Sequence, residues 1–440
     1  MEIVLLSGGS GKRLWPLSND IRSKQFLKVV RNENGEAESM LQRVYRQIQA
    51  AGLCAEVTIA TSATQVESIR GQLGKRVSIV VEPERRNTFP AIALSAAYLH
   101  FEKDCPPDET VVVLPVDPYV DGEYFRMLHQ LDKAVQAGAA DIVLMGVEPT
   151  YPSEKYGYII PWDTDRGDGK AGTGRVLPVS EFKEKPDVHM AQEFIGRGGL
   201  WNCGVFAFRL SYLMGIVRDT VECRCYEDVR RQYAGFEKTS FDYAVVEKAG
   251  SVAVLAYHGE WKDLGTWNTL TEVMEDKPIG DVAVSDDCRN THVINELEIP
   301  VVVMGAKDMV VAASPDGILV SDKVQSSYIK KYVENRDMRP MFEERSWGEY
   351  TVLNLSVDAD GKRTVTKKKT VQAGRSIGET RHRHHLEVWT VLSGRAVISI
   401  KGRKHDALAG DTFTIERGVL HGLFAEEDTV LLEVQIEEGN

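Results

Sequence analysis

The strongest constraint on the fold is a change of texture near residue 278. Before it, short β-rich runs alternate with helical stretches, a pattern that favours a parallel α/β sheet. The expected strands are Glu2–Leu6, Val57–Thr61, Ser78–Val81, Thr110–Pro115, Asp141–Gly146, Val205–Arg209 and Val252–Tyr257. Helices are expected over Ser39–Ala51, Thr64–Leu73, Thr88–Lys103, Gly122–Gln136 and Phe241–Lys248. Asp163–Gly174, with four glycines, reads as a flexible loop or hairpin tip. After Lys277-Pro278-Ile279-Gly280 the runs shorten, and residues 281–325 read as a small β-rich connector, with Ser326–Arg336 as a linking helix. From Trp347 to Val434 the pattern is all-β. Turn signals at Asp360-Gly361, Ala373-Gly374, Ser393-Gly394, Lys401-Gly402 and Ala409-Gly410 suit a sandwich or jelly-roll barrel. Lys367-Lys368-Lys369 reads as decoration on a solvated strand. The expected division is therefore 1–275, 276–336 and 337–440, within the two or three domains that 440 residues suggest at ~150 each.

Charge and composition then narrow the function. No apolar run approaches the ~18–20 residues of a membrane-spanning helix, so no membrane partner is expected. The opening Met1-Glu2-Ile3-Val4-Leu5-Leu6 lacks a basic region and reads as a core strand, not a signal peptide. With 53 basic and 65 acidic residues the net charge is −12, which argues against nucleic acid as a partner. Small phosphorylated ligands need only a few local cations. Of six cysteines only Cys223 and Cys225 are close together, so reduced thiols in the cytoplasm are expected.

The first strand runs into Ser7-Gly8-Gly9-Ser10-Gly11-Lys12-Arg13-Leu14-Trp15-Pro16-Leu17, with Lys24 soon after. Glycines let backbone N–H groups approach phosphate oxygens. Arg13, and with it Lys12, can balance the charge. Gly-Lys-Arg stands where a Walker loop has Gly-Lys-Ser/Thr, and no acidic partner completes a dinucleotide fingerprint.

The full string resembles the sugar-nucleotidyltransferase signature. Trp15 and Lys24-Gln25-Phe26-Leu27 resemble its mannose-1-phosphate guanylyltransferase branch, with Ser23 where that branch usually has Pro. Arg86-Asn87-Thr88-Phe89-Pro90-Ala91-Ile92 resembles a further segment, and Leu114-Pro115-Val116-Asp117 another, with Pro118 in place of His. Tyr156-Gly157-Tyr158-Ile159, Phe182-Lys183-Glu184-Lys185-Pro186, Trp201-Asn202-Cys203-Gly204, Phe241-Asp242-Tyr243-Ala244 and Trp261-Lys262-Asp263-Leu264-Gly265-Thr266-Trp267 continue the match to about residue 275.

The resemblance implies GMP transfer from GTP to mannose 1-phosphate, giving GDP-mannose and pyrophosphate. It assigns Mg²⁺ to Asp117 and Asp263, each expected just beyond a strand, where open α/β sheets bind ligands. Two carboxylates holding Mg²⁺ attract the phosphates that bare carboxylates repel. It gives Arg13 the charge at the transferring phosphorus and Lys24 the phosphate oxygens. Gly8, Gly9, Ser10, Gly11, Asn87 and Thr88 would face the nucleotide. Lys185 would grip the sugar phosphate, Glu184 and Asn202 the sugar hydroxyls, and Gly157 would allow close backbone approach.

The second cluster is Thr380-Arg381-His382-Arg383-His384-His385-Leu386-Glu387-Val388-Trp389. On a strand, His382 and His384 point to one face. With the distant His421 and an oxygen from Glu387 they suit a divalent metal, Zn²⁺ or another. The stretch resembles a cupin, with Gly410, Gly418 and His421 matching the second cupin motif; Glu416 stands where Pro is usual and Ala425 where Asn is usual. Arg345-Ser346-Trp347-Gly348, Glu387-x-Trp389 and Glu433-Val434-Gln435 resemble the C-terminal domain of bifunctional type II phosphomannose isomerases. His385 replaces that family's Arg, Val388 replaces its His, and its tail beyond Glu-Val-Gln is not matched. The expectation is therefore a metal-binding barrel with weak or absent isomerase activity.

Together these readings imply an α/β nucleotidyltransferase domain with a Rossmann-like mixed sheet, a β-rich connector and a C-terminal cupin-type barrel, in a homo-oligomer, a dimer. Two other readings share the residues: transfer to another sugar 1-phosphate, as in GDP-heptose synthesis, or a non-catalytic sugar-nucleotide sensor.

Overall fold

The computed structural model describes all residues except 10, 54, 163–173, 335–338 and 438–440. Ser10, and all of the expected glycine-rich loop but Gly174, lie outside the described residues. The chain forms two compact units interleaved in sequence. One comprises Met1–Gly9, Lys28–Val66 and Arg76–Leu264; the other comprises Ser10–Leu27, Glu67–Lys75 and Gly265–Asn440.

The first unit is built on a nine-stranded mixed sheet. Its order is Ser78–Glu82, Glu56–Ser62, Glu2–Leu6, Thr110–Pro115, Leu200–Arg209, Ile142–Val147, Val252–Tyr257, Val176–Lys183, Tyr158–Pro161. The strands from Ser78–Glu82 to Thr110–Pro115 are parallel. Leu200–Arg209 runs antiparallel to both its neighbours, so Thr110–Pro115, Ile142–Val147 and Val252–Tyr257 all end at one edge. The strand around Val205 begins at Leu200, earlier than expected, because Trp201 and Asn202 still pair with Val147 and Gly146 before a register shift.

Helix starts follow local chemistry. Ser39 and Gln42 form a capping box before Met40–Ala50, and the Asp121 carboxylate accepts from the backbone N–H groups of Glu123 and Tyr124 to open Gly122–Gln136. Thr88–Phe101 is apolar on nearly every side, as a helix enclosed in a core must be. Phe241–Lys248, expected as one helix, is a single α-turn over Phe241–Ala244 and a 3₁₀ turn over Val246–Lys248.

In the second unit, His292–Asn295, Met309–Ser314 and Gly317–Asp322 form one small sheet, and Val282–Val284 pairs with Val301–Val303. The linking helix is short: a 3₁₀ turn Gln325–Tyr328 and one α-turn Lys330–Val333. The segment Ser10–Leu27 is held inside this unit. The Trp267 indole N–H donates to the Trp15 carbonyl at 3.1 Å, Ser314 Oγ donates to the Pro16 carbonyl at 2.8 Å, and Arg22 forks onto Glu296 at 2.7 and 2.9 Å.

The C-terminal strands form two sheets. One has the order Phe342–Arg345, Gly348–Val357, Arg363–Val371, Thr429–Glu437, His385–Ser393, Thr412–Ile415. The other runs Ser376–Arg381, Leu420–Ala425, Arg395–Ile400, Arg403–Leu408. Trp389, Val391 and Leu431 from the first and Ile398, Ala407 and Leu423 from the second make one core, as in a barrel-like sandwich. The expected solvated lysine run needs correction. Val365, Lys367, Lys369 and Val371 share the inward face, and both ammonium groups pair with Glu433, which is fully buried (Lys367 Nζ to Oε1 at 3.4 Å, Lys369 to Oε2). Lys368 alone of the three faces outward, to Glu298 at 2.5 Å.

Candidate active site

In the first unit, a cavity of about 250 Å³ opens where the sheet strands end. Asp117 follows Thr110–Pro115. The next strand, Pro118–Val120, pairs antiparallel with Trp261–Asp263, with Asp263 opposite Pro118. One short ribbon thus carries both carboxylates to the cavity wall. Two carboxylates on adjacent backbone positions form a hard-oxygen donor set suited to Mg²⁺. Burial, and then the negative charge of Asp263, push the Tyr156 phenol up from its ordinary value.

Gly157, Glu184 and Asn202 line the same cavity and interlock. A Cβ on Gly157 would lie 2.4 Å from Glu184 Oε2, well inside van der Waals contact, so only glycine leaves that carboxylate its place. The Asn202 backbone N–H donates to the Gly157 carbonyl at 2.8 Å. Its side-chain amide donates to Asp242 Oδ1 at 2.6 Å and accepts from the Gly204 N–H at 3.1 Å. The register shift between Asn202 and Phe206, with Gly204 at φ 74°, holds this turn. Lys185, at φ 49°, ion-pairs with the buried Glu184. Burial and the neighbouring Asp242 charge raise the Glu184 pKa; burial also raises that of Asp242, against the Asn202 hydrogen bond. Asp242 and Tyr156 stand in the motif segments around Phe241 and Gly157, and that membership is the signal the sequence carries for them.

Asn87, at φ 75°, caps Thr88–Phe101, and its side chain accepts from the Thr88 N–H. Thr88 reaches the cavity wall, and its hydroxyl accepts from the Phe241 N–H at 2.9 Å. Asn87 is exposed outside that wall. Gly8 packs close to the buried Glu82, to which the Tyr233 hydroxyl donates at 2.8 Å. The Gly9 carbonyl accepts from the Gln65 amide at 3.3 Å.

In the second unit, Arg13 and Lys24 open on a smaller cavity of about 150 Å³, with Gly11, Lys12 and Gly265 in its wall. Each lies in or next to a 3₁₀ turn, Lys12–Leu14 or Lys24–Phe26, so their backbones are fixed.

The barrel brings together His382, Glu387 and His421, whose ligand atoms all lie within 4.8 Å of one another. His421 Nε2 is 3.3 Å and His382 Nε2 3.4 Å from the Glu387 carboxylate. His421 Nδ1 lies 2.9 Å from the Val419 carbonyl, an arrangement that leaves Nε2 as the donor to a metal. Burial opposes ionisation of Glu387, but hydrogen bonds from His421 and His385 and the Lys369 charge outweigh it and hold the carboxyl below its usual range. This donor set fits a divalent transition metal.

His384 needs correction as a ligand. The strand Ser376–Arg381 ends before His382, and the next begins at His385, so residues 382–384 form a turn rather than alternating on one strand. His384 is exposed, and His385 Nε2 takes the contact to Glu387 Oε1 at 2.8 Å.

Comparison with known proteins agrees with this architecture. The nucleotidyl transferase family matches residues 2–278, and a cupin domain matches residues 368–435. The chain is 31% identical to the mannose-1-phosphate guanylyltransferase ManC of Salmonella typhimurium, over 99% of this chain and 94% of that protein. It is 32% identical to the alginate biosynthesis protein AlgA of Pseudomonas putida, over 90% and 84%. The crystal structure of mannose-1-phosphate geranyltransferase from Thermus thermophilus superposes with a TM-score of 0.59 at 29% identity, covering 76% of this chain and 98% of that one. Among the described residues no helix is long and apolar enough to cross a membrane. A carboxylate-lined cavity at the strand ends, a glycine-rich cationic loop and full-length likeness to these enzymes lead to one conclusion: the chain is a nucleotidyltransferase and belongs to the mannose-1-phosphate guanylyltransferase branch of the nucleotidyl transferase family, with a cupin domain.

Proposed function

We propose that the chain transfers GMP from GTP to mannose 1-phosphate. The observation that carries this reading is the single cavity lined by Asp117, Asp263, Gly157, Glu184 and Asn202, in a chain 31% identical to a mannose-1-phosphate guanylyltransferase. An oxygen of the sugar phosphate attacks the α-phosphorus of GTP. The bond from that phosphorus to the β-phosphate oxygen breaks, and pyrophosphate leaves. Asp117 and Asp263 would hold Mg²⁺, which supplies positive charge to the phosphate oxygens. Gly8, Gly9 and Gly11 let the nucleotide approach the backbone, with Thr88 at the wall. Arg13 offsets charge at the transferring phosphorus and Lys24 that on phosphate oxygens. Glu184 accepts from sugar hydroxyls, Asn202 holds the wall through Asp242, and Lys185 offers a cation to the sugar phosphate.

The test is a pyrophosphate-release screen across nucleoside triphosphates and sugar 1-phosphates with Mg²⁺. The highest kcat/KM is expected for GTP with mannose 1-phosphate. A higher value for UTP or dTTP with glucose 1-phosphate overturns the branch-level substrates, and no turnover with any pair favours a sensor.

For the barrel we propose divalent-metal binding without robust isomerisation of mannose 6-phosphate. Lys367 and Lys369 are engaged by Glu433, and His385 by Glu387, so none is left over as a phosphate clamp. A coupled fructose 6-phosphate assay with added Zn²⁺, Mn²⁺ or Co²⁺ tests this; turnover near ~10 s⁻¹, a common enzyme value, overturns it. We further propose a cytoplasmic homodimer. Cys105, Cys203, Cys223, Cys225 and Cys288 are free thiols, which fits a reducing compartment. Light scattering of the purified protein reads the dimer.

A further inference from the structure

The cation-lined cavity of the second unit has one more wall residue, Lys330, at the start of the helical turn Lys330–Val333. It lies in no motif of the nucleotidyltransferase segments and far along the chain from them. We propose that Lys330 is a pyrophosphate-binding residue: its ammonium contacts the β- and γ-phosphates of GTP and the pyrophosphate that leaves. This rests on the guanylyltransferase reading above.

Lys12, Arg13, Lys24 and Lys330 surround a cavity of about 150 Å³ in a chain whose net charge is −12. Four cationic side chains around one cavity attract a polyanion, and a phosphate chain offers several oxygens at that spacing. Asp20 lies 3.1 Å from Lys12, and Glu334 lies 3.1 Å from Lys330. Both carboxylates are about half exposed and neither lines the cavity, so these two pairs are weak and do not tie Lys12 or Lys330 down. Gly11 and Gly265 contribute wall without side chains, where phosphate oxygens can reach backbone N–H groups. A lysine ammonium is a compact charge on a flexible stem, suited to a group that must bind as triphosphate and then leave as pyrophosphate. The neighbouring Lys331 is turned elsewhere, with its ammonium 4.9 Å from the Tyr332 ring centroid, and it does not line this cavity.

The experiment compares full-length Lys330→Ala, Lys330→Gln, Lys330→Arg and Lys331→Ala. Loss of one charge-assisted phosphate contact at a half-exposed site is expected to raise KM for GTP about tenfold. KM for pyrophosphate in the reverse reaction should rise by a similar factor, while KM for mannose 1-phosphate stays unchanged. Lys330→Arg should recover most of the loss, and Lys331→Ala should match the unaltered protein. Calorimetric titration with pyrophosphate should show the same weakening, and it reads the proposal even if the chain makes no GDP-mannose, a result that would sink the guanylyltransferase reading instead. Lys330→Gln keeps the test open should the alanine variant fold poorly. Unchanged pyrophosphate affinity in a folded Lys330 variant, or equal losses at Lys331, overturns the proposal.

Discussion

The glycines of the first loop are equivalent in sequence but not in structure, and Gly11→Ala against Gly9→Ala separates them. Gly11 sits at φ −81°, ψ 20°, which alanine tolerates, so backbone strain is not at issue. Its added Cβ would lie 2.6 Å from the Lys24 nitrogen and 2.9 Å from Ser23 Cα. Restoring ordinary van der Waals contact requires a shift of about 0.8 Å. The atoms in the way are backbone atoms entering a buried turn: Ser23, Gln25 and Phe26 are all buried, and the Phe26 carbonyl accepts from Gln72 at 2.9 Å. Such overpacking costs ~1–3 kcal/mol. Displacing Lys24 by nearly 1 Å is expected to lower kcat/KM by ~10²-fold, the scale for a misplaced group in a preorganised site. Gly9 is different: among the described residues a Cβ there meets no atom within 4 Å. Gly9→Ala should therefore leave chemical-denaturation stability unchanged while raising KM for GTP, because the methyl would stand where the proposed GTP site needs the backbone bare. Steady-state kinetics and denaturation of both variants give the comparison. A Gly11→Ala protein with unaltered stability and kcat/KM would refute the packing argument.

Asp117→Ala and Asp263→Ala should each lower kcat by at least ~10²-fold, since each removes stabilisation that grows in the transition state, with little change in stability. In the barrel, His382→Ala combined with His421→Ala should abolish stoichiometric metal in elemental analysis, whereas His384→Ala should retain it; equal loss at His384 contradicts the turn geometry. Burial raises the Glu82 pKa, partly offset by the Tyr233 hydrogen bond. The native state therefore holds that proton more tightly than the unfolded chain, and this group's contribution to stability, full below the unfolded pKa, declines as pH rises through the native one. Glu82→Gln should flatten the stability–pH curve above about pH 4.5, near the ordinary glutamate value; an unchanged slope would count against a raised native pKa.

Much of the architecture was legible in the chain. Glu2–Leu6, Thr110–Pro115 and Gly122–Gln136 appear with the boundaries that period and turn chemistry predict, because each is a continuous stretch with a strong local pattern. By charge alone the lysine triplet reads as solvated, although Val365, Lys367, Lys369 and Val371 alternate and the two flanking buried valines mark the inward face. What hid it was the buried Glu433, whose charge makes inward lysines favourable and which lies about sixty residues away in sequence.

Local pattern and residue chemistry determined the change from α/β to all-β, the glycine-rich turn at the end of the first strand, and the carboxylates and histidines available for metals. Those properties depend on neighbours within a few residues, so sequence alone carries them. The partnerships needed the tertiary structure. Pairing of Pro118–Val120 with Trp261–Asp263 brings the two aspartates to one wall, although they lie far apart in sequence. A strand that ends at Arg381 makes His385, not His384, the third histidine against Glu387. Lys330 joins Arg13 and Lys24 only through packing of distant segments. Each outcome follows from where a strand stops or which segment packs alongside, and these are set by long-range contacts that no local window contains.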